Sequence, residues 1–225
     1  MTADEMEKRN IAAMGEPLGR PYTVLFHEVS ALHLYWKEFL ELFGTNEKRI
    51  ERLNRSAPGF FRMLQEQQFE TNMLHIARLT DSPKSVGKEN LTIRMLPHLI
   101  TDALFKQAVS GLVEEARKKT EFCREWRNQR FAHHDLMLAI NDGEARQLPS
   151  ASKVKVNAAL ASLSDVLNTF ERHYFKNVCD FASIAPHLGV GTLLFTLGFG
   201  VKAREEMEAK IKAGKFDDLG QPENI

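Results

Sequence analysis

The stretch YTVLFHEVSALHLYWKEFLELFG, residues 22–44, decides the fold class. Its apolar residues Tyr22, Leu25, Phe26, Val29, Leu32, Trp36, Phe39, Leu40 and Phe43 return every three or four positions. That is the period of a helix with one buried face. Gly44, with Thr45 and Asn46 behind it, ends the run. The same period marks Val156, Leu160, Leu163, Leu167, Phe170 and Tyr174, a helix that Ser150 or Ser152 can cap and that reaches about Asn177.

Between these two, the pattern predicts a short helix over 47–57 and a long one over 60–80. Pro58-Gly59 opens the long helix and Asp81-Ser82-Pro83 closes it. Residues 84–89 read as an exposed loop and 91–99 as a short helix. Helical pattern returns over 101–119 and continues over 121–140, as one bent helix or as two, until Asn141-Asp142-Gly143 stops it. No alternating strand pattern of useful length occurs. The expected class is all-α, an up-and-down bundle of about five main helices.

Outward from that core the chain changes character. Residues 1–21 form a weakly amphipathic arm, with a linker expected where Gly15, Pro17, Gly19 and Pro21 punctuate it. Residues 22–180 hold the bundle, and 181–225 form an extension. In that extension LGVGTLLFTLGFGV (188–201) is apolar and glycine-rich, and a charged helix follows to about Lys212. The apolar run is shorter than the roughly 20 residues a membrane span needs. It reads as a helix buried against the bundle or a partner chain.

The chain has 225 residues, enough for one domain with a core. Lys and Arg number 30 and Asp and Glu 30, so no whole-protein field draws nucleic acid, and any anion must meet a local patch. Cys123 and Cys179 match no disulfide framework or zinc-ligand spacing. No metal ligand set such as His-Glu-x-x-His occurs, and no phosphate loop. A polar, charged N-terminus without a signal-like apolar stretch leads to a cytoplasmic expectation.

The chemistry concentrates in REWRNQRFAHHD, residues 124–135. Long polar side chains cost entropy to fix and free energy to bury, so their crowding beside Trp126 and Phe131 points to a polar site on a packed scaffold. Between residues 117 and 130 six basic residues face only Glu121 and Glu125, a local surplus suited to an anion. Salt bridges at four-residue spacing on a solvated face would account for the same run. Arginine can grip a phosphate bidentately, and histidine can move a proton near neutral pH. Arg127, Asn128 and a histidine thus suit metal-free phosphodiester cleavage.

On a straight helical wheel Arg127 and His134 share one face, and Asn128 lies with Asp135. His133 falls about 120° from Arg127. Side-chain reach, a kink or a second chain would be needed to bring Arg127 and His133 together. On geometry His134 is as good a catalytic candidate as His133. Asp135 can orient a histidine or bridge to arginine, and Arg124 and Arg130 can support the site or bind substrate. Arg78 and Asp81, in HIARLTD, are expected to close a helix end, with Arg78 a further candidate for the site.

RNQRFAH resembles the motif of the HEPN superfamily: an arginine, a polar residue, and a histidine after a spacer of four to six. The wider chain is similar to the abortive-infection U-type (AbiU-like) branch. The supporting stretches are YWKEFLELF (35–43), RLNRSAPGFFRMLQEQQFETNMLHIARLTD (52–81), KENLTI (88–93), WRNQRFAHHD (126–135) and Leu167-Asn168 with Tyr174. The resemblance implies an all-helical bundle, a homodimer with the motif at its interface, and cleavage of RNA without cofactor or metal. It assigns the chemistry to Arg127 and His133, with Asn128 assisting. It implies a toxin or phage-defence role, with an antitoxin as a partner. Other members have lost catalysis, so a non-catalytic module binding nucleic acid, nucleotide or protein is the alternative.

Overall fold

A computed structural model describes residues 2–44, 46–131 and 148–215. The described chain is all-α apart from one two-stranded hairpin, as the periodicity requires. The helices are α1 (Ala3–Met14), α2 (Glu16–Phe43), α3 (Glu47–Ser56), α4 (Pro58–Leu79), α5 (Ala103–Lys119), α6 (Glu121–Trp126), α7 (Lys153–Phe170) and α8 (Val190–Lys212). Short 3-10 turns cover Ile93–Leu99 and Phe181–Ser183, and π turns cover Arg127–Phe131 and Glu171–Phe175. Two compact units form: Met1–Trp36 with Phe69–Ile184, and Lys37–Gln68 with Ala185–Ile225.

In the first unit, the buried stripe of α2 is the predicted one: Tyr22, Leu25, Val29, Leu32 and Trp36. It meets Phe170 of α7, whose ring lies 5.2 Å from that of Tyr22, and α7 packs along α5. Fully burying each such side chain contributes roughly 1.5–3 kcal/mol. Two local features differ from the sequence reading. The linker expected around Gly15–Pro21 is instead the start of α2. Pro17 falls in its first turn, where a missing N–H costs little, whereas Pro21 lies inside the helix and leaves the Pro17 carbonyl without its helical N–H partner. Gly19 sits where α1 crosses: a Cβ there would come within 2.7 Å of the Ile11 backbone, so only glycine permits the approach.

The N-terminal segment itself is a capped helix. Thr2 and Glu5 form a reciprocal capping box. Arg9 donates to the Glu171 carboxylate at 2.9 Å and lies over the Phe175 ring at 3.8 Å. Glu171 is almost fully buried and also accepts from the Tyr22 hydroxyl at 2.9 Å. Burial and the neighbouring Glu171 push the Tyr22 phenol far above its ordinary value, so it remains a donor.

The second difference is the loop over 84–89, which forms β1 (Lys84–Ser85) and β2 (Lys88–Glu89), paired antiparallel. Val86 and Gly87 make the turn with φ of 50° and 76°. Two-residue strands carry no alternation to read, and a β-branched residue at the first turn position hides the usual Asn-Gly signal.

The second unit has its own small core of Leu42, Leu53, Phe61, Val190 and Leu194, with α3 packed on α8. Glu38 accepts the Val190 N–H at 2.8 Å, placing an acid at the positive end of α8. Gly189 makes room for it, since a Cβ would lie 2.7 Å from the Glu38 carboxylate. The apolar run at 188–201 is helical as expected but buried on one face only. Phe195 and Phe199, their rings 4.7 Å apart, are 65% and 61% exposed. No described helix is long and apolar enough to cross a membrane.

Candidate functional site

The site begins at the break between α5 and α6. Thr120 interrupts the helix, its hydroxyl 2.9 Å from that of Thr80 at the end of α4. Both threonines are fully buried. Arg124 reaches back from α6 and donates to Thr80 Oγ1 at 2.7 Å and to the Arg117 carbonyl at 2.5 Å. It also pairs with Glu121 at 2.5 Å. Charge-assisted bonds to satisfied buried acceptors make this a rigid joint. The helix that starts at Glu121 is thus distinct from α5, because Thr120 and Arg124 fold the junction onto α4.

Arg124 therefore fastens the scaffold beneath the site. Its neighbours in the basic run are also engaged: Arg117 with Glu114 at 2.8 Å, and Lys119 with Glu115 at 2.6 Å. These are the salt bridges at three- and four-residue spacing that offer the plainer reading of the run.

From Arg127 to Phe131 the chain turns as a π helix, with bonds from i to i+5. The straight wheel does not hold across this motif, so the 120° separation derived from it lapses. His133, His134 and Asp135 lie outside the described residues. Of the others, Arg127 is the most deliberately held. Its Nη1 pairs with Asp81, and its Nε donates to Asn128 Oδ1 at 3.1 Å. Arg127 and Asp81 retain 28% and 26% side-chain exposure. Asn128 is exposed. Arg130, exposed, lies 5.7 Å from the Trp126 ring centre. Trp126 is fixed edge-to-face on Phe69 and by its Nε1 donating to the Pro149 carbonyl at 2.8 Å.

Arg127 forms part of the wall of a cleft of about 680 Å³. The rest of the wall comes from Glu28 of α2, from Arg78, Leu79, Asp81 and Ser82 at the end of α4, and from the hairpin and the residues after it, including Lys84, Glu89 and Asn90. Sequence reading gave Arg78 a candidate role but missed Glu28, Asp81 and the hairpin. One signal was present. Asp81 follows the C-terminal end of a helix, where the macrodipole disfavours an anion, and an acid there calls for a cationic partner.

Glu28 accepts from Arg78 and lies 2.7 Å from His75 Nε2. Burial first, and the Arg78 charge second, lower the His75 pKa. Burial does the same for His33, 2.8 Å from Ser164 Oγ. Both histidines fold as neutral rings, so below about pH 6.5 the unfolded chain binds more protons than the folded one. Stability should therefore fall as pH drops from 7.5 to 5.5, read as a lower urea midpoint. Replacing both residues by glutamine should flatten that limb. An unchanged limb would show that the two rings do not set it.

Burial pushes the Cys123 thiol up to about 12, so it is an inert core group. Among the described residues no group of three or more His, Cys, Asp or Glu side chains is placed to hold a metal ion.

Comparison with known proteins gives one match. A search of curated proteins and a search of solved structures each find no similar chain. The HEPN family model described as AbiU2 matches residues 15–189, which takes in α2 to α7, the cleft and the whole arginine–histidine motif. On that match, the chain belongs to the AbiU2 family of HEPN proteins.

Proposed function

We propose that this protein is a metal-independent endoribonuclease that acts as a toxin or phage-defence factor in abortive infection. Family membership supplies the abortive-infection context. The observation that carries the enzymatic reading is the setting of Arg127. It is half-buried, on a π turn of the kind that recurs at functional sites, and on the wall of a polar cleft large enough for a nucleotide unit.

In this reading the ribose 2′-oxygen attacks the adjacent phosphorus. A histidine takes the 2′-hydroxyl proton, and the departing 5′-oxygen is protonated by the same or a second histidine. The products are a 2′,3′-cyclic phosphate end and a 5′-hydroxyl end. Arg127 holds the non-bridging oxygens as their charge grows, and Asn128 orients them or the imidazole. His133 is the assigned proton carrier, with His134, Asp135 and Arg130 supporting. A homodimer that brings the motifs of two chains together would supply two histidines to one phosphate. RNA in the cytoplasm is the proposed substrate, and an antitoxin the proposed partner.

One observation favours a second reading. The Arg127 guanidinium is paired to a carboxylate, which suits a non-catalytic module that binds a nucleotide or a protein. The test is cleavage of total RNA by purified wild type and His133→Ala in EDTA, with growth of expressing cells followed in parallel. The nuclease reading expects metal-free fragments with cyclic phosphate ends and growth arrest from wild type only. Intact RNA and equal growth in both strains would remove the nuclease reading and leave the second.

A further inference from the structure

Among the described residues, every basic residue on the cleft wall is already paired with an acid of the same wall. Arg78 pairs with Glu28, Arg127 with Asp81, and Lys84 with Glu89 at 3.8 Å. These three bases and three acids make the described part of the lining neutral. The pairs differ in depth. Arg78 and Lys84 are 62% and 79% exposed, so water competes well for them. Arg127 and Asp81 are the most sheltered pair.

We propose that the Asp81 carboxylate is the resting occupant of Arg127 and that a phosphodiester anion of single-stranded RNA displaces it. The cleft is then a phosphate site held shut by its own acid. This rests on reading Arg127 as the phosphate-binding group, and it adds how that group is kept until substrate arrives.

The geometry of a guanidinium supports the exchange. Arginine offers two edges for bidentate binding, Nε with Nη2 and Nη1 with Nη2. Asn128 occupies Nε and Asp81 occupies Nη1, so each edge has one member engaged. A phosphate that takes two donors must displace one of them. Displacing Asn128 leaves phosphate and carboxylate on the same guanidinium, repelling each other across a few ångströms. Displacing Asp81 removes that repulsion.

Asp81 is also poorly placed for any other purpose. It stands just past the carbonyl end of α4, where a negative charge is disfavoured, and its backbone N–H makes only a 3.3 Å bond to Arg78. Arg127 is its compensation, and removing that partner costs Asp81 less once a solvated cleft is open beside it.

The test measures binding rather than turnover. A fluorescein-labelled 2′-O-methyl oligoribonucleotide, which lacks the attacking hydroxyl, is titrated with the full-length chain across a salt series. Wild type is compared with Asp81→Asn, Asp81→Glu, Arg127→Ala and the double variant Asp81→Asn/Arg127→Ala. Circular dichroism melts accompany each.

Asp81→Asn should bind about five- to tenfold tighter at low salt, the effect of deleting one partly screened negative charge beside the site. Its salt dependence should be slightly steeper than that of wild type, because the repulsion removed with Asp81 is itself screened by salt, while Arg127 makes the same phosphate contact in both. Asp81→Glu, which keeps the charge, should stay near wild type. The double variant should match Arg127→Ala, because the gain exists only through Arg127.

Equal or weaker binding by a folded Asp81→Asn overturns the proposal, as does a gain that survives loss of Arg127. So does failure of both wild type and Asp81→Asn to bind. Should Asp81→Asn fail to melt cooperatively, Asp81→Ser is measured against the same criteria. Cleavage of the unmodified RNA, followed on the same samples, reports separately on the nuclease reading. Tighter binding without cleavage would leave the exchange standing and remove the enzyme.

Discussion

Arg127→Ala is expected to lower single-turnover RNA cleavage in EDTA by about 10²–10³-fold, the usual cost of losing one preorganised donor to a developing anion. The fold should survive the change. Asp81 keeps about a quarter of its side-chain surface in solvent, on the wall of an open cleft, so water can take the place of the lost guanidinium. The change in cleavage rate should therefore exceed anything a stability change explains. Arg127→Lys should recover little, since an ammonium cannot span two phosphate oxygens in a plane as the guanidinium fork does. A rate for Arg127→Ala within threefold of wild type would remove Arg127 from the chemistry.

The largest effect on stability is expected from Arg9→Ala. Glu171 is 2% exposed, and its carboxylate accepts from Arg9 and from the Tyr22 hydroxyl. Removing Arg9 strands a buried carboxylate with one neutral donor, a loss of about 3–5 kcal/mol. That is a large share of the 5–15 kcal/mol typical of a whole domain. Glu171→Gln should cost less, because Arg9 retains 30% exposure and can turn to water. Combining Arg9→Met with Glu171→Gln should restore much of the loss, as no buried charge then remains. Urea unfolding of the four proteins decides it. A cost below 1 kcal/mol for Arg9→Ala would mean that α1 is not fastened through Glu171.

The two residues at the centre of that prediction show what a sequence conceals. Arg9 and Glu171 are 162 positions apart, and nothing in either neighbourhood announces the pair. The same holds for Arg127 and Asp81, which meet only because Thr80, Thr120 and Arg124 join α6 to the end of α4. What was legible is what repeats. The stripes of α2 and α7 follow from their period, and α4 spans Pro58–Leu79 against an expected 60–80. What was not legible breaks the period: the π turn at the motif, the start of α2 across two prolines, and a hairpin with two-residue strands. Arg124, expected to support the site or to bind substrate, is tied to Thr80, the Arg117 carbonyl and Glu121 as a bolt in the scaffold. Its sequence context, basic and next to an aromatic, looks the same for either duty.

The π turn at Arg127–Phe131 has a consequence for how this motif can vary. An α turn closes over four residues and a π turn over five, so a helix able to adopt either can take in or give up one residue locally. The flanking segments then need not rotate by the full 100° that a residue adds to a regular helix. Such a turn works as a slip joint. It uncouples the count of residues after the arginine from the bearing of whatever follows, and a spacer whose length varies by a residue between relatives can serve the same cleft.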